Sequence, residues 1–414
     1  MKNQIHFFIA LFFTVLLCSC GKSFKYVAKD NGFYSGMAVT VGDIFNPETI
    51  KILQNDCSII VYENSMKWAN LRPNKNFWNW NDIDSLVDFA EKNNMRVKWH
   101  TLFWHQQNSP FVSSSWTREQ AIQMMNEHIE TIMSRYKGKI AEYDVVNEMF
   151  NEDGSMRQNI WYKTIGADYI ELALKKAHQV DPDAKLLLNE FNNEEKGHPK
   201  ADAMYNLVKN LIERKVPIDG VGMQLHLDAR ISYSEDAIRQ NIQRYEDLGI
   251  AVSFSEVDVR IPIENSKAYE SAQENIYLML YKIASEMPNV TSFITWGISD
   301  KHSWVPSTFP GTGNALLYDE DFKPKPVYNA ILKELKKIDK SSPEISGDFF
   351  LEYNADTSPN GIFSSVGICG NVAVYSRGKS FCNFKVSTRN YVRISVCVSF
   401  VPAVKNSDCA FNAE

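Results

Sequence analysis

The chain has 414 residues, 44% apolar and 23% charged, with 44 Lys+Arg against 50 Asp+Glu and a formal charge of −6. That balance belongs to ordinary globular proteins and excludes disordered and collagen-like architectures. No long basic run offers a footprint for nucleic acid, and the length admits two or three domains or a single α/β barrel of about 250 residues or more.

Residues 1–20, MKNQIHFFIALFFTVLLCSC, place one Lys near the start ahead of an apolar stretch from Phe7 to Leu17. The stretch is too short for a membrane span and has the proportions of a signal peptide, so export is expected. Its end, Leu17-Cys18-Ser19-Cys20-Gly21, resembles a bacterial lipobox, in which the Cys at the cleavage point receives lipid. The small Ser19 favours Cys20 over Cys18, so residues 1–19 are expected to be removed and the protein to sit at the outer membrane or cell surface. An ordinary secretory peptide cut nearby is the alternative, and would give a secreted protein.

Apolar, β-branched runs then recur: FYSGMAV from Phe33, CSIIVY from Cys57, MRVKWH from Met95, IAEYDVV from Ile140, KLLLNE from Lys185, IDGVGMQ from Ile218, IAVSFSEV from Ile250 and VTSFITW from Val290. Between most of them lie helical patterns at i, i+3, i+4, i+7 spacing: Ile83, Leu86, Val87, Ala90; Ile170, Ala173, Leu174, Ala177; and Met204, Leu207, Val208, Leu211. A last helix is expected through Val327, Ile331, Leu332 and Leu335. Eight strands alternating with helices over residues 32–338 predict an α/β fold with the parallel sheet closed into a (β/α)8 TIM barrel. An open doubly wound sheet is the alternative, but no Gly-rich dinucleotide fingerprint follows the first strand.

Residues 339–347 read as a linker, and residues 348–414 as a small β-rich C-terminal appendage of short strands broken by Asn, Ser and Gly. All nine Trp lie between Trp68 and Trp304, so a carbohydrate-binding tail would have to stack sugars on Tyr353, Tyr375 or Tyr391; a structural segment is the other reading. Of seven cysteines, Cys18 and Cys20 lie in the leader and Cys57 stands alone. Cys369, Cys382, Cys397 and Cys409 lack the close C-x2-C spacing of a zinc site, which leaves disulfides, paired in one of three ways, or free thiols.

In a barrel the chemistry sits where strands end. Here the ends carry Glu63-Asn64-Ser65-Met66-Lys67-Trp68, then His100-Thr101-Leu102-Phe103-Trp104-His105-Gln106, Asn147-Glu148, Gln224-Leu225-His226, Glu256-Val257-Asp258, and Trp296-Gly297-Ile298-Ser299-Asp300. Amides, imidazoles and indoles at one rim suit a sugar, whose hydroxyls need directional partners and whose faces stack on rings. Glu148 and Glu256 terminate apolar strands directly, and such a pair is what glycoside hydrolysis requires: one carboxyl protonated to donate to the leaving oxygen, one ionised. His100 and His105 lack a clean third ligand, so no metal and no cofactor are expected. His128 and His178 read as surface or packing residues.

ENSMKW, HTLFWHQQ, YDVVNEMF, LLLNEFN, VGMQLH, VSFSEVDV, TWGISDKHSW and LLYDEDFKPKPVY follow one another in an order that resembles glycoside hydrolase family 10, the endo-β-1,4-xylanases, over about residues 32–337. The resemblance implies a (β/α)8 barrel, with Glu148 as general acid/base and Glu256 as nucleophile of a retaining double displacement, the two carboxyls about 5 to 5.5 Å apart. It further implies that Asn147 bonds the sugar 2-hydroxyl and that His226 and Asp258 tune Glu256. Glu63, Asn64, Lys67, His100, Trp104, Gln224, Trp296 and Trp304 fall in the glycone-side subsites. Three positions depart from the pattern: NEFN stands where N-D-Y-N is more usual, with Glu190 in the Asp position and Phe191 in the Tyr position, a change that bears on leaving-group-side binding, and Val327 stands where Ala is more usual.

The expected substrate is xylan or arabinoxylan, cut by a monomer with no nucleic-acid partner and no membrane contact beyond a lipid on Cys20. A β-1,4-glucanase or mixed-linkage glucanase of the same mechanism, and a noncatalytic surface glycan-binding lipoprotein, are the alternatives. If Cys20 carries the lipid, Cys20→Ala moves the protein from the membrane to the soluble fraction on cell fractionation; unchanged membrane retention would refute lipidation there.

Overall fold

A computed structural model describes residues 23–341, the strands 382–389 and 391–398, and residues 411–412. The leader with Cys20, and the pairing of the tail cysteines, lie outside the described residues. The chain divides into two compact units, Met1–Ser342 and Pro343–Glu414.

In the first unit eight strands form the wall: β1 (Tyr34–Val39), β2 (Ile59–Tyr62), β3 (Arg96–Phe103), β4 (Glu142–Asn147), β5 (Lys185–Glu190), β6 (Gly220–Met223), β7 (Ala251–Pro262) and β8 (Val290–Thr295). Each pairs in parallel with the next, and β8 pairs with β1 through Tyr34↔Ser292 to Met37↔Thr295, which closes the barrel. All eight expected strands are present. Parallel strands are buried on both faces, so they read as unbroken apolar runs.

The covering helices bury the stripes their spacing predicts: Ile83, Leu86, Val87 and Ala90 in Trp80–Lys92, and Ile170, Ala173, Leu174 and Ala177 in Tyr169–Val180. Their starts are fixed locally, by the Asn46 cap and Pro47 in the first turn of Pro47–Asp56 and by a Thr117/Gln120 capping box at the start of Arg118–Arg135. His128 on that last helix is fully buried, its ring 3.7 Å from Trp68, whereas His178 is exposed. No helix among the described residues is long and apolar enough to cross a membrane.

The structure corrects some boundaries. A helix absent from the sequence reading, Phe24–Asp30, precedes the barrel and packs Phe24 against Tyr281 and Tyr328 of the closing helices. The last helix, Pro326–Ser341, runs three residues past the expected limit of 338. β3 and β7 continue to Phe103 and Pro262, so His100, Glu256 and Asp258 lie inside strands rather than at their ends. The outer half of β7 finds separate partners, His226–Asp228 in parallel and Thr312–Gly313 antiparallel. Register shifts fall at His100/Phe103, Asp144/Val146 and Phe254/Val257, re-aiming side chains where polar residues collect. In the second unit Cys382–Arg389 and Tyr391–Val398 form an antiparallel hairpin, joined by Phe411–Asn412, so its described residues are all strand.

The barrel interior is divided. Ala38, Ile59, Val61, Ile294 and Trp296 make an apolar cluster on the β1, β2 and β8 side. Opposite it, Lys98, His100, Glu142, Asp144, Asn189, Ser253, Ser255 and Glu256 are buried polar residues. β1 and β2 approach so closely that a Cβ on Gly36 would lie 2.4 Å from the Ile59 carbonyl oxygen. Gly36→Ala therefore lowers stability by about 1–3 kcal/mol, read as a fall in the urea midpoint at unchanged slope; an unchanged midpoint would refute this contact.

Candidate active site

Glu256 stands in mid-β7 with 4% of its surface exposed. Its Oε1 accepts a hydrogen bond from Asn189 Nδ2 at 2.6 Å and lies 3.7 Å from His100 Nδ1, while Oε2 lies 3.3 Å from His226 Nε2. Burial alone would raise its pKa, but His100, the His226 bond and Lys67 outweigh burial and hold the carboxyl down at about 2. Glu256 is therefore an anion at neutral pH.

The imidazole beside it is fixed from behind. His226 Nδ1 is 2.9 Å from Asp258 Oδ2, which also accepts from Trp304 Nε1 at 2.8 Å. Burial would lower the His226 pKa, yet Asp258 and Glu256 overcome it and push the ring up to about 10. His226 is thus a cation between two carboxylates.

Glu148 follows the last residue of β4 and takes a left-handed φ of 55°. Such a conformation persists in a non-glycine residue only when its surroundings over-determine it. Here the Glu148 N–H donates to Asn189 O at 2.9 Å and its carbonyl accepts from Arg157 Nε at 3.0 Å. Its Oε1 accepts from Asn147 Nδ2 and Gln224 Nε2, both at 3.3 Å, and Oε2 is 3.6 Å from His105 Nδ1. Burial lowers the His105 pKa against the pull of Glu148.

Two amides join the carboxylates. Asn147 Oδ1 accepts from Asn189 Nδ2 at 2.9 Å, and that same Nδ2 reaches Glu256. The sequence reading assigned Asn189 no part. A signal existed: Asn-Glu closes both VVNE and LLNE, and the β4/β5 register sets Asn147 opposite Asn189. Ser255 Oγ orients Asn189 by donating to Oδ1 at 2.6 Å, and only a glycine fits at position 222, where a Cβ would fall 1.8 Å from Oδ1.

The remaining expected residues border this centre. Lys67 Nζ lies 4.8 Å from the Trp104 ring and 5.9 Å from the Trp296 ring, and donates to Asn64 Oδ1 at 3.2 Å. Burial lowers its pKa while Glu256, Glu63 and Glu148 pull it back up. Glu63 is raised by burial against Lys67. His100 meets Trp296 edge-on at 5.0 Å and Asp144 Oδ2 at 3.0 Å, and His226 meets Trp304 at 4.7 Å. Asp144 and its partner Lys98, 2.8 Å away, were also missed, because a charged pair inside an apolar strand leaves no periodic mark. Among the described residues no three metal-ligating side chains converge.

A buried anion clamped by an imidazolium, a second carboxyl on a half-buried turn and indoles around both define a carbohydrate-cleaving barrel. The model described as Glycosyl hydrolase family 10 matches residues 23–334, and the chain belongs to that family. It is 38% identical over 285 residues to "Endo-1,4-beta-xylanase B" of Thermotoga neapolitana, covering 68% of this chain and 82% of that one. Against "Endo-1,4-beta-xylanase 2" of Aureobasidium pullulans the identity is 35% over 320 residues, covering 74% and 88%. The solved xylanase 10B from Thermotoga petrophila in complex with xylobiose superposes with a TM-score of 0.74 at 37% identity, over 77% of this chain and 98% of that chain.

The two shifted groups set a pH signature. The stabilisation from His226, whose pKa rises from 6.5 to about 10, is complete below 6.5 and lost as pH climbs through 10. That from Glu256, depressed from 4.5 to about 2, is complete above 4.5 and lost as pH falls through 2. His226→Asn therefore costs most stability near pH 5–6, and the gap to wild type in urea denaturation narrows towards pH 10; a gap independent of pH over that range would contradict the ion triad.

Proposed function

We propose that the protein is an endo-1,4-β-xylanase acting by retaining double displacement, with Glu256 as nucleophile and Glu148 as general acid/base. The observation that carries this reading is the ionised, buried Glu256 linked through Asn189 and Asn147 to Glu148. In the first step Glu256 attacks the anomeric carbon while the protonated Glu148 gives its proton to the departing oxygen, leaving a glycosyl ester on Glu256. In the second, Glu148 takes a proton from water, which attacks the same carbon and releases Glu256. Asn147 bonds the 2-hydroxyl of the sugar at the cleavage point, and His226 with Asp258 orients the nucleophile.

Trp104, Trp296 and Trp304, with Glu63, Asn64, Lys67, His100 and Gln224, bind the glycone side of xylan or arabinoxylan. The crowding of indoles over the cleavage point excludes a hydroxymethyl arm and separates xylan from glucan. A purely glycan-binding protein has no need to hold a carboxylate ionised against burial, so the catalytic reading stands ahead of that one. For the rest of the chain we propose a leader over residues 1–19, a lipid on Cys20 that holds a monomer at the cell surface, and a separate β-rich tail.

Chromatography of products from xylan and carboxymethylcellulose tests the assignment, with NMR of the first anomer formed. Wild type releases short xylo-oligosaccharides from xylan, initially as β-anomers. Glu256→Ala abolishes hydrolysis with the fold and xylan binding intact, and Glu148→Ala slows it by roughly 10²–10⁴-fold. Inverted product, or full residual activity in Glu256→Ala, would overturn the mechanism.

A further inference from the structure

Glu190, the residue that departs from the usual Asp of its motif, does not face the cleft. It is fully buried, and so is Lys200, whose Nζ lies 3.0 Å from Glu190 Oε1. Burial pushes the Glu190 carboxyl up to about 7 against the pull of Lys200. A buried ion pair is weak evidence for stability, because desolvation offsets its attraction. What it holds is the better guide to its role.

The other oxygen, Oε2, accepts from the backbone N–H of Phe150 at 3.0 Å, two residues past Glu148. Arg157 grips the same turn from the other side, with Nε on Glu148 O at 3.0 Å and an Nη on Phe150 O at 2.8 Å. Lys200 extends the clamp to Glu152 Oε1 at 3.1 Å, and Asn192 Nδ2 reaches Glu152 Oε2 at 3.0 Å. The turn that carries Glu148 at positive φ is therefore held by β5, by the helix Pro199–Glu213 and by its own return segment.

Given Glu148 as acid/base, as proposed above, we infer that Glu190, paired with Lys200, is a positioning residue that holds the Glu148 turn in place for proton transfer to the leaving oxygen. Glu190 touches neither substrate nor the reacting atoms. It acts through the Phe150 N–H. The titratable groups that face it are Lys200 from the helix Pro199–Glu213, Glu148 from the β4 turn and Tyr169 from the helix Tyr169–Val180. Neither Glu190 nor Lys200 bonds Glu256, whose partners are Asn189, His226 and His100, so loss of Glu190 impairs proton donation far more than attack.

The test compares xylan with 2,4-dinitrophenyl β-xylobioside, whose leaving group departs without a proton, using the full chain. kcat/KM reports the steps through glycosyl-enzyme formation, so it isolates donation from the later use of water. Glu190→Gln lowers kcat/KM on xylan by about 10²-fold while the aryl substrate loses less than about threefold. Glu190→Asp, which keeps the carboxylate, recovers most of the xylan rate. Equal losses on both substrates, or no loss on either, would overturn the inference. Glu148→Ala serves as the reference: if it shows the split and Glu190→Gln does not, the positioning role alone falls. If Glu148→Ala spares neither substrate, the acid/base assignment falls and the positioning role with it.

Discussion

A carboxylate kept ionised inside a barrel is the constraint around which this site is built. Glu256 has almost no contact with water, and a lone anion there would take up a proton. Every partner that prevents this needs a partner of its own. His226 stays charged because Asp258 backs it, and Asp258 is held in turn by Trp304. Asn189 presents its amide to Glu256 because Ser255 and Asn147 occupy its other bonds, and it has room because residue 222 carries no side chain. Removal of one member leaves its neighbour buried and unpaired, which costs about 3–5 kcal/mol for an ion pair.

This polar layer does not hold the fold together. The apolar contacts between the outside of the sheet and its helices do that, with Trp99, Tyr143, Leu186, Leu188 and Phe254 among the strand residues fully buried in that core. The inner pairs, such as Lys98 with Asp144 and Glu142, place charge where well-packed aliphatic residues would serve stability as well or better. The outer core can carry that cost because it surrounds the whole barrel. The same division explains the glycines at 36 and 222, which sit on the inner face where strands and polar side chains approach most closely.

The division also decides what was legible in the sequence. Core strands show themselves because both faces are apolar, and all eight were found where expected. Their outer limits were misplaced for one reason: a polar residue inside the barrel reads like the end of a strand. His100 and Glu256 stopped the apolar runs in sequence but not the backbone pairing, which continues past the register shifts. The carboxylates and indoles were legible as residue types gathered at one rim. Asn189, Lys98, Asp144, Arg157 and Lys200 were not, because their roles rest on which side chain they meet across the barrel or the next turn. The helix Phe24–Asp30 is not legible because it follows so closely in sequence on the apolar stretch that reads as a leader.

The sign of the field ties the site to its chemistry. Around the reacting centre stand the carboxyls of Glu63, Asp144, Glu148, Glu256 and Asp258 and the cations Lys67, Lys98 and His226. Glu256, held ionised by its partners against burial, supplies negative charge at this centre. An oxocarbenium-like transition state develops positive charge on the sugar ring, so a preorganised negative field stabilises it more than the neutral ground state. His226 lies between Glu256 and Asp258 and Lys98 between Glu142 and Asp144, so each of these two cations is paired with carboxylates, while Lys67 stands beside the Trp104 and Trp296 rings. In the proposed mechanism His226 helps keep Glu256 ionised for attack on the anomeric carbon.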